Sequence, residues 1–502
     1  MPRSTATPEG AFTKASGQHP EGASRHRWWV LAVIGLAQVM VVLDATIVNI
    51  ALPSAQKDLG FSDGDRQWVV TAYALAFGSL LLFGGRLADL LGRRVTFLVG
   101  LVGFAAASAL GGAAGSFEVL VAARALQGAF GALLAPSALS LLTTTFTDPK
   151  ERGKAFGVYG AIAGAGGAIG LLLGGLLTEH LSWRWTLYVN LLIAGLAIVG
   201  AVVFLQRTAR DRNAKLDVPG VVLVSSGLFC IVYGFANAES HDWGSPQTWG
   251  FLIAGVVLLT VFVTWQTRAA HPLLPLRVPL DRNRGASYLS VLITAVGMFG
   301  VFLFLTYYLQ QILGYTPVKT GLGFLPMIGA LMITANLATN VLLPRLGPKP
   351  VVPLGMGLAG AGLVWMTGLD LDSTYAAHVL PPLVVTGLGI GLMMATAMNV
   401  ATAGVDPRDA GVASAMVNTM QQVGGSVGTA LLNSLASTAA QNYVKGKQPS
   451  PDLVARAQLH SYSTAYWWSA GFFAAGLVIS GLLYRSGKVR ALSVEGAPAV
   501  HA

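Results

Sequence analysis

Two charged residues stand where the chain is otherwise apolar. Asp44 lies in the stretch 28–52 and Arg124 in 118–142; of 22 acidic and 32 basic residues, these alone fall deep inside such stretches. If both stretches are helices, Asp44 is about 12 Å and Arg124 about 9 Å from the same edge, so the two share a level. A central Asp or Arg costs roughly 2.5–3.5 kcal/mol on insertion scales. Residues held at that cost face an interior cavity and carry a function. Burial raises the proton affinity of a carboxyl, and a neighbouring guanidinium lowers it. The pairing predicts a proton-carrying Asp44 tuned by Arg124. The other reading is a static ion pair that fixes two helices.

Polar side chains in the same apolar stretches are candidates for lining a cavity: Gln38, Asn49, Tyr73, Gln127, Tyr307, Gln311, Asn336 and Asn399, with Asn190, Gln310, Asn418 and Gln422 beside them. Taken singly, each could instead be a hydrogen bond between helices. Together they predict a cavity polar in spots and poor in fixed charge, suited to a large, neutral or weakly cationic ligand. A divalent cation would lack the oxygen cluster it requires.

Enzyme chemistry finds no support. There is no G-x-x-x-x-G-K-[ST] and no H-E-x-x-H, and none of the eight histidines falls in the middle of an apolar stretch. The single Cys230 leaves no cysteine pair for a disulfide or a metal cluster. GMGLAG at 355–360 resembles a dinucleotide fingerprint, but it lies in an apolar stretch with no preceding strand. The expectation is no catalytic site, no metal and no cofactor beyond the coupling proton.

The elements that must position Asp44 and Arg124 follow from composition. Of 502 residues, 54% are hydrophobic and 11% charged, with mean hydropathy +0.62; soluble chains carry about 25% charged residues. Apolar stretches recur from residue 28 to 485, each near the ~20 residues that span a bilayer core. The first follows Arg25-His26-Arg27 without a cleavage site, which predicts a retained span. Residues 1–27, rich in Ser, Pro, Gly and Thr, are expected to be disordered. Fourteen spans place 24 Lys and Arg on one side and seven on the other, which predicts both termini in the cytoplasm. The net charge of +10 then belongs to cytoplasmic loops beside a lipid bilayer, not to a nucleic-acid surface.

The chain also repeats itself weakly. DPKERGKA at 148–155 resembles DPRDAGVA at 406–413, GGAIG at 166–170 resembles GGSVG at 424–428, and LLGRR at 90–94 resembles RLGPK at 345–349. Parallel six-helix repeats are a transporter architecture. The expected organisation is a cytoplasmic N-terminus at 1–27, a six-helix bundle at 28–206, two inserted helices with their loops at 207–284, a second bundle at 285–485 and a cytoplasmic tail at 486–502. This is an all-α membrane protein of fourteen transmembrane helices.

Beyond composition, LDATIVNIALP at 43–53, GGRLADLLGRR at 84–94, RALQGAFGALLAP at 124–136, WRWTLYVN at 183–190, YYLQQILGYTP at 307–317 and GVASAMVNTMQQVGGSVG at 411–428 resemble the motifs of the major facilitator superfamily, in particular its fourteen-span drug:proton antiporters. The resemblance covers nearly everything after residue 27. It implies that spans 1 and 4 line a central cavity. It also implies that Gly85, Asp89, Gly92, Arg93 and Arg94 form a conformational latch, with Asp89 facing the start of helix 13 near Asp409 to Gly411. Gly166, Gly170 and Gly174 on helix 5, with Gly424 and Gly428 on helix 13, present small residues on one face. They are expected to pack helices closely and to form a sliding seam between the halves. Leu171 stands where the antiporter motif has Pro, Gln421 where Arg is common, and Gln266 where Glu is common. The resemblance implies proton-coupled efflux of drugs or antibiotics by a monomer in the bacterial cytoplasmic membrane; proton-coupled uptake is the alternative.

Overall fold

The computed structural model describes residues 21–487 apart from 63–64, 147–148, 207–216, 242, 271, 406–408 and 449. Once water is withdrawn, a long apolar segment satisfies its backbone groups by closing them within a helix. The described residues accordingly contain helices and no strand. We number the helices α1 (Glu21–Leu59), α2 (Arg66–Leu91), α3 (Arg93–Gly112), α4 (Phe117–Thr145), α5 (Pro149–His180), α6 (Trp185–Phe204), α7 (Val218–His241) and α8 (Pro246–Gln266). The series continues with α9 (Arg282–Ile312), α10 (Pro317–Leu346), α11 (Pro348–Met366), α12 (Tyr375–Thr402), α13 (Ala410–Val444) and α14 (Pro451–Leu483). Among the described residues, eleven of these helices are long and apolar enough to cross a membrane.

Packing follows the internal repeat. In the N-half α1 packs on α5 and α6, α2 on α4, and α3 on α4 and α6; in the C-half α9 packs on α13 and α14, α10 on α12, and α11 on α12 and α14. The partners correspond helix for helix. Between the halves, α2 meets α13 and α5 meets α10, a pair of contacts that the same correspondence exchanges. The inserted α7 and α8 pack on each other, and α7 lies across the seam against both α2 and α13.

Several bonds join the halves at the far face, where α1 ends and α2 begins. Tyr307 Oη donates to Gln56 Oε1 at 2.7 Å, Gln310 Nε2 to the Ile50 carbonyl at 3.3 Å, and Arg66 Nε to Asn433 Oδ1 at 3.1 Å. The Arg66 guanidinium lies 4.3 Å from the Tyr307 ring centroid. Glu179, at the end of α5, accepts the Val318 amide in the first turn of α10 at 3.1 Å. That backbone donor, reinforced by the Thr316 hydroxyl, holds the Glu179 carboxyl below the ordinary carboxylate range.

Two sequence expectations change. Helix α1 starts at Glu21, not at Trp28, because backbone hydrogen bonding does not end where apolarity ends. His26 Nε2 bonds the Phe204 carbonyl at 2.9 Å and Arg27 pairs with Glu151 at 2.8 Å, tying this turn to the bundle. Residues 1–20 and 488–502 lie outside the described residues. The glycine stripes also face differently from the expected seam. Gly166, Gly170 and Gly174 receive Val42, Thr46 and Ile47 of α1, while Gly424 and Gly428 receive Leu292 and Val296 of α9. Both stripes therefore pack helices within a half. Between the halves the close approach is made by Gly175 against the Pro317–Val318 backbone and by Gly321 against the Leu171 carbonyl.

Helices α2 and α4 cross closely. A Cβ at Gly84 would strike the Ala132 carbonyl, whereas one at Gly85 would meet only Pro136 Cβ at 3.6 Å. Gly84→Ala is therefore expected to cost about 1–3 kcal/mol from overpacking. Gly85→Ala, in ordinary contact, gains helix propensity and is expected to be neutral or stabilising; thermal unfolding in detergent compares the two. A second expectation concerns pH. Because its folded value is depressed, Glu179 contributes stability that is full above its unfolded value of about 4.3 and is lost as pH falls through its lower folded value. Glu179→Gln should remove that acid-sensitive component from a Tm-versus-pH curve.

Candidate functional site

Five helices of the N-half converge on one buried carboxylate. Asp44 of α1 is fully buried and Arg124 of α4 is 2% exposed. Arg124 Nη1 donates to Asp44 Oδ2 at 2.5 Å. Gln127 Nε2, also from α4, reaches Asp44 Oδ1 at 2.9 Å, and Asn190 Nδ2 of α6 reaches the same oxygen at 2.8 Å. Ser108 Oγ of α3 accepts from Gln127 at 2.7 Å and from Asn190 at 3.4 Å. Helix α2 contributes the Val69 carbonyl, which accepts from Arg124 Nε at 3.0 Å, and the Tyr73 ring, whose centroid is 4.5 Å from the guanidinium carbon.

The local sequence explains this convergence. Residues three apart share a helix face, so Arg124 and Gln127 both point at α1, and Arg124 Nη1 also donates to Gln127 Oε1 at 2.9 Å. A charge withdrawn from water is tolerated only when it is paired and its remaining valences are used. Asp44 accepts from three donors, and Arg124 engages a carboxylate, an amide oxygen, a backbone carbonyl and a ring face. A small cavity, about 10 Å³, adjoins Arg124 between Leu52, Val69, Leu120, Trp183 and Thr186, roughly room for one water. Trp183 is itself held by Asp58 at 2.9 Å.

Of the other polar residues singled out from sequence, only some bond at the Asp44 site. Tyr73 and Gln127 belong to the Asp44 site. Tyr307 joins the far-face closure, and Gln311 accepts from Tyr462 at 3.2 Å at that same face. Gln38 accepts from Tyr159 at 2.5 Å. Asn49 donates back to its own helix at Ala45 (3.2 Å). Asn336 accepts from Asn340 at 3.0 Å and Asn399 donates to Ala395 at 2.9 Å, both exposed. A helical period tells which residues share a face, not what that face meets.

At the near face, Gly92 has φ +95°, a left-handed conformation that lets α2 end at Leu91 and α3 begin at Arg93. Arg94 donates to the Val202 carbonyl of α6 at 2.8 Å, inside its own half. The side chain of Asp89 lies outside the described residues. Asp409, the expected neighbourhood of its partner, is engaged by Arg277 from the loop after α8, at 2.8 and 3.0 Å. Arg86 at the end of α2 donates to the Pro272 carbonyl of the same loop at 3.0 Å. Gln266 anchors that loop: its amide donates to Asp217 at 2.8 Å and accepts the Leu274 amide at 2.9 Å. A Glu at 266 would set two carboxyls against each other, so the amide suits this chain.

Arg66, Glu179 and Arg277 escaped sequence reasoning because they lie at stretch edges, where charge is expected to be solvated. Ser108 carried no signal.

A two-bundle helical fold with a buried Asp–Arg pair can be compared with known proteins. The family model for the Major Facilitator Superfamily matches residues 34–429. The chain belongs to that superfamily. This facilitator-superfamily protein is 49% identical to the puromycin resistance protein pur8 of Streptomyces alboniger, over 93% of each chain. It is 37% identical to the tetracenomycin C resistance and export protein of Streptomyces glaucescens, over 84% of this chain and 78% of the relative. The fold is shared with a bacterial homologue of the human lysosomal transporter Spinster in an inward-facing conformation, at a TM-score of 0.64 and 16% identity, covering 93% of this chain and 98% of the other. The superfamily member is a multi-pass membrane transporter and not an enzyme.

The ion pair makes a non-additive prediction. Arg124→Leu leaves a buried carboxylate without its counter-charge and is expected to cost about 3–5 kcal/mol. Asp44→Leu in the same chain should restore most of that loss, because no uncompensated charge remains. Thermal unfolding of the single and double variants in detergent measures the coupling.

Proposed function

We propose that this transporter exports small, mostly apolar antibiotics or drugs across the bacterial cytoplasmic membrane in exchange for protons, by alternating access. The observation that carries the coupling is the fully buried Asp44–Arg124 pair in the N-half. The direction rests on relatives named for antibiotic resistance and export. In this reading all fourteen helices span the bilayer, both termini are cytoplasmic, and the joined far face is the outer one. The protein acts as a monomer, needs no cofactor beyond the proton and binds no nucleic acid.

The closed far face corresponds to a state that loads substrate from the cytoplasm or inner leaflet. Opening outward parts the bonds around Tyr307, Gln310, Arg66 and Glu179 and lets a proton reach Asp44. Protonation removes the charge that holds Arg124, and the relaxation of this pair favours return. The near-face latch of Gly85, Asp89, Gly92, Arg93 and Arg94 engages the start of α13 in the outward-open state, where Asp409 exchanges Arg277 for the α2–α3 turn. One proton supplies about 2.3 kcal/mol per 100 mV and about 1.4 kcal/mol per pH unit. Together these support roughly a 500-fold gradient of a neutral substrate.

Everted membrane vesicles test this with puromycin and a panel of apolar dyes, recording drug accumulation and proton flux together. Substrate addition should release protons from the acidified lumen in wild type and not in Asp44→Asn. Proton flux of the opposite sign would establish uptake by symport. Coupled transport that survives Asp44→Asn would remove Asp44 from the mechanism.

A further inference from the structure

Every hydrogen bond that reaches Asp44 serves its ionised form. Arg124 Nη1, Gln127 Nε2 and Asn190 Nδ2 all present hydrogens to the carboxylate. A protonated carboxyl carries a hydrogen of its own and needs an acceptor. The neighbouring acceptors are already engaged. Gln127 Oε1 takes Arg124 Nη1, Ser108 Oγ takes Gln127 and Asn190, and the Val69 carbonyl takes Arg124 Nε. Among the side chains of the site, Tyr73 Oη and Asn190 Oδ1 have no hydrogen-bond partner, and of the two only Asn190, fully buried, already bonds Asp44. Buried carbonyl oxygens are rarely left so, and each that is calls for an explanation.

We propose that Asn190 is the proton-state switch of this site: when Asp44 takes up a proton, the Asn190 side-chain amide turns over so that Oδ1 accepts the new O–H. The inference rests on Asp44 carrying the coupling proton. One O–H bond forms on Asp44 as one O–H bond of a hydronium ion at the open face breaks and leaves water. The terminal torsion of Asn is broad and nearly two-fold, so the turn requires no backbone movement. The charged and titratable groups in contact with the site are Arg124 from α4 and Tyr73 from α2. Helices α3 and α6 bring Ser108 and Asn190, and α5 packs on α1 through glycines. Ionised, Asp44 is the acceptor that ties α6 to α1 through Asn190 Nδ2. Protonated, it becomes the donor of that tie, and Nδ2 leaves both Asp44 and Ser108. Asn190 is thus a positioning residue through which α6, packed on α1 and α3, responds to the charge on Asp44.

Infrared difference spectra of the full-length transporter between high and low pH test this, with 13C-labelled asparagine incorporated. Asp44 protonation should appear as a carboxyl band absent from Asp44→Ala. With it, a side-chain amide carbonyl should move from its free to its hydrogen-bonded position and shift with the label. Asn190→Leu should lose that amide band. Asn190→Gln should retain an amide response that no longer carries the label. An Asp44 carboxyl band with no label-sensitive partner, or a labelled band that persists in both Asn190 variants, overturns this inference alone. Absence of any Asp44 band across the pH range overturns it together with the coupling reading.

Discussion

A carboxylate and a guanidinium withdrawn from water survive inside a helical bundle only while they hold each other and every remaining lone pair and N–H is answered. That requirement shapes the N-half. Asp44 and Arg124 recruit Gln127 from the next turn of α4, Asn190 from α6, Ser108 from α3 and the Val69 carbonyl and Tyr73 ring from α2. Five helices are thereby fixed around one charge pair. A change in that charge would be felt by all five.

The two halves are built alike but joined unevenly. On one side of the seam α5 meets α10 through Gly175, Gly321 and the Glu179–Val318 bond. On the other, α2 meets α13 with α7 laid across both. Arg86 and Arg277 fasten the loop after α8 to α2 and α13, respectively, so the inserted pair bridges the side of the seam that it covers. The bonds at the far face accompany one apolar core that runs from α1 and α2 into α9 and α10.

Part of this was open to inspection in the sequence. Apolar stretches near span length, the bias of Lys and Arg and the weak repeat together give a two-bundle helical protein. The rarity of charge within those stretches isolates Asp44 and Arg124, and a 1.5 Å rise per residue places them at one level. Spacing could not say what the glycine stripes meet: Gly166, Gly170 and Gly174 face α1 and not the other half. Nor could it separate Gly84, pressed on the Ala132 carbonyl, from Gly85, which is not.

By itself, then, the sequence determined the helical membrane fold class and the identity of the two charges set deep in apolar stretches, because hydrophobicity and the cost of burying charge act on each residue wherever the chain goes. Only the tertiary structure decided which polar groups complete the site. Asn190 and Ser108 lie far along the chain from Asp44; the sequence offers Asn190 only as one of twelve polar candidates and gives no sign of Ser108. Likewise Asn336 and Asn399 bond along their own helices and not to the Asp44 site. Hydrogen bonds between helices depend on how each helix is rotated about its axis, and that rotation is set by the packing of all its neighbours at once.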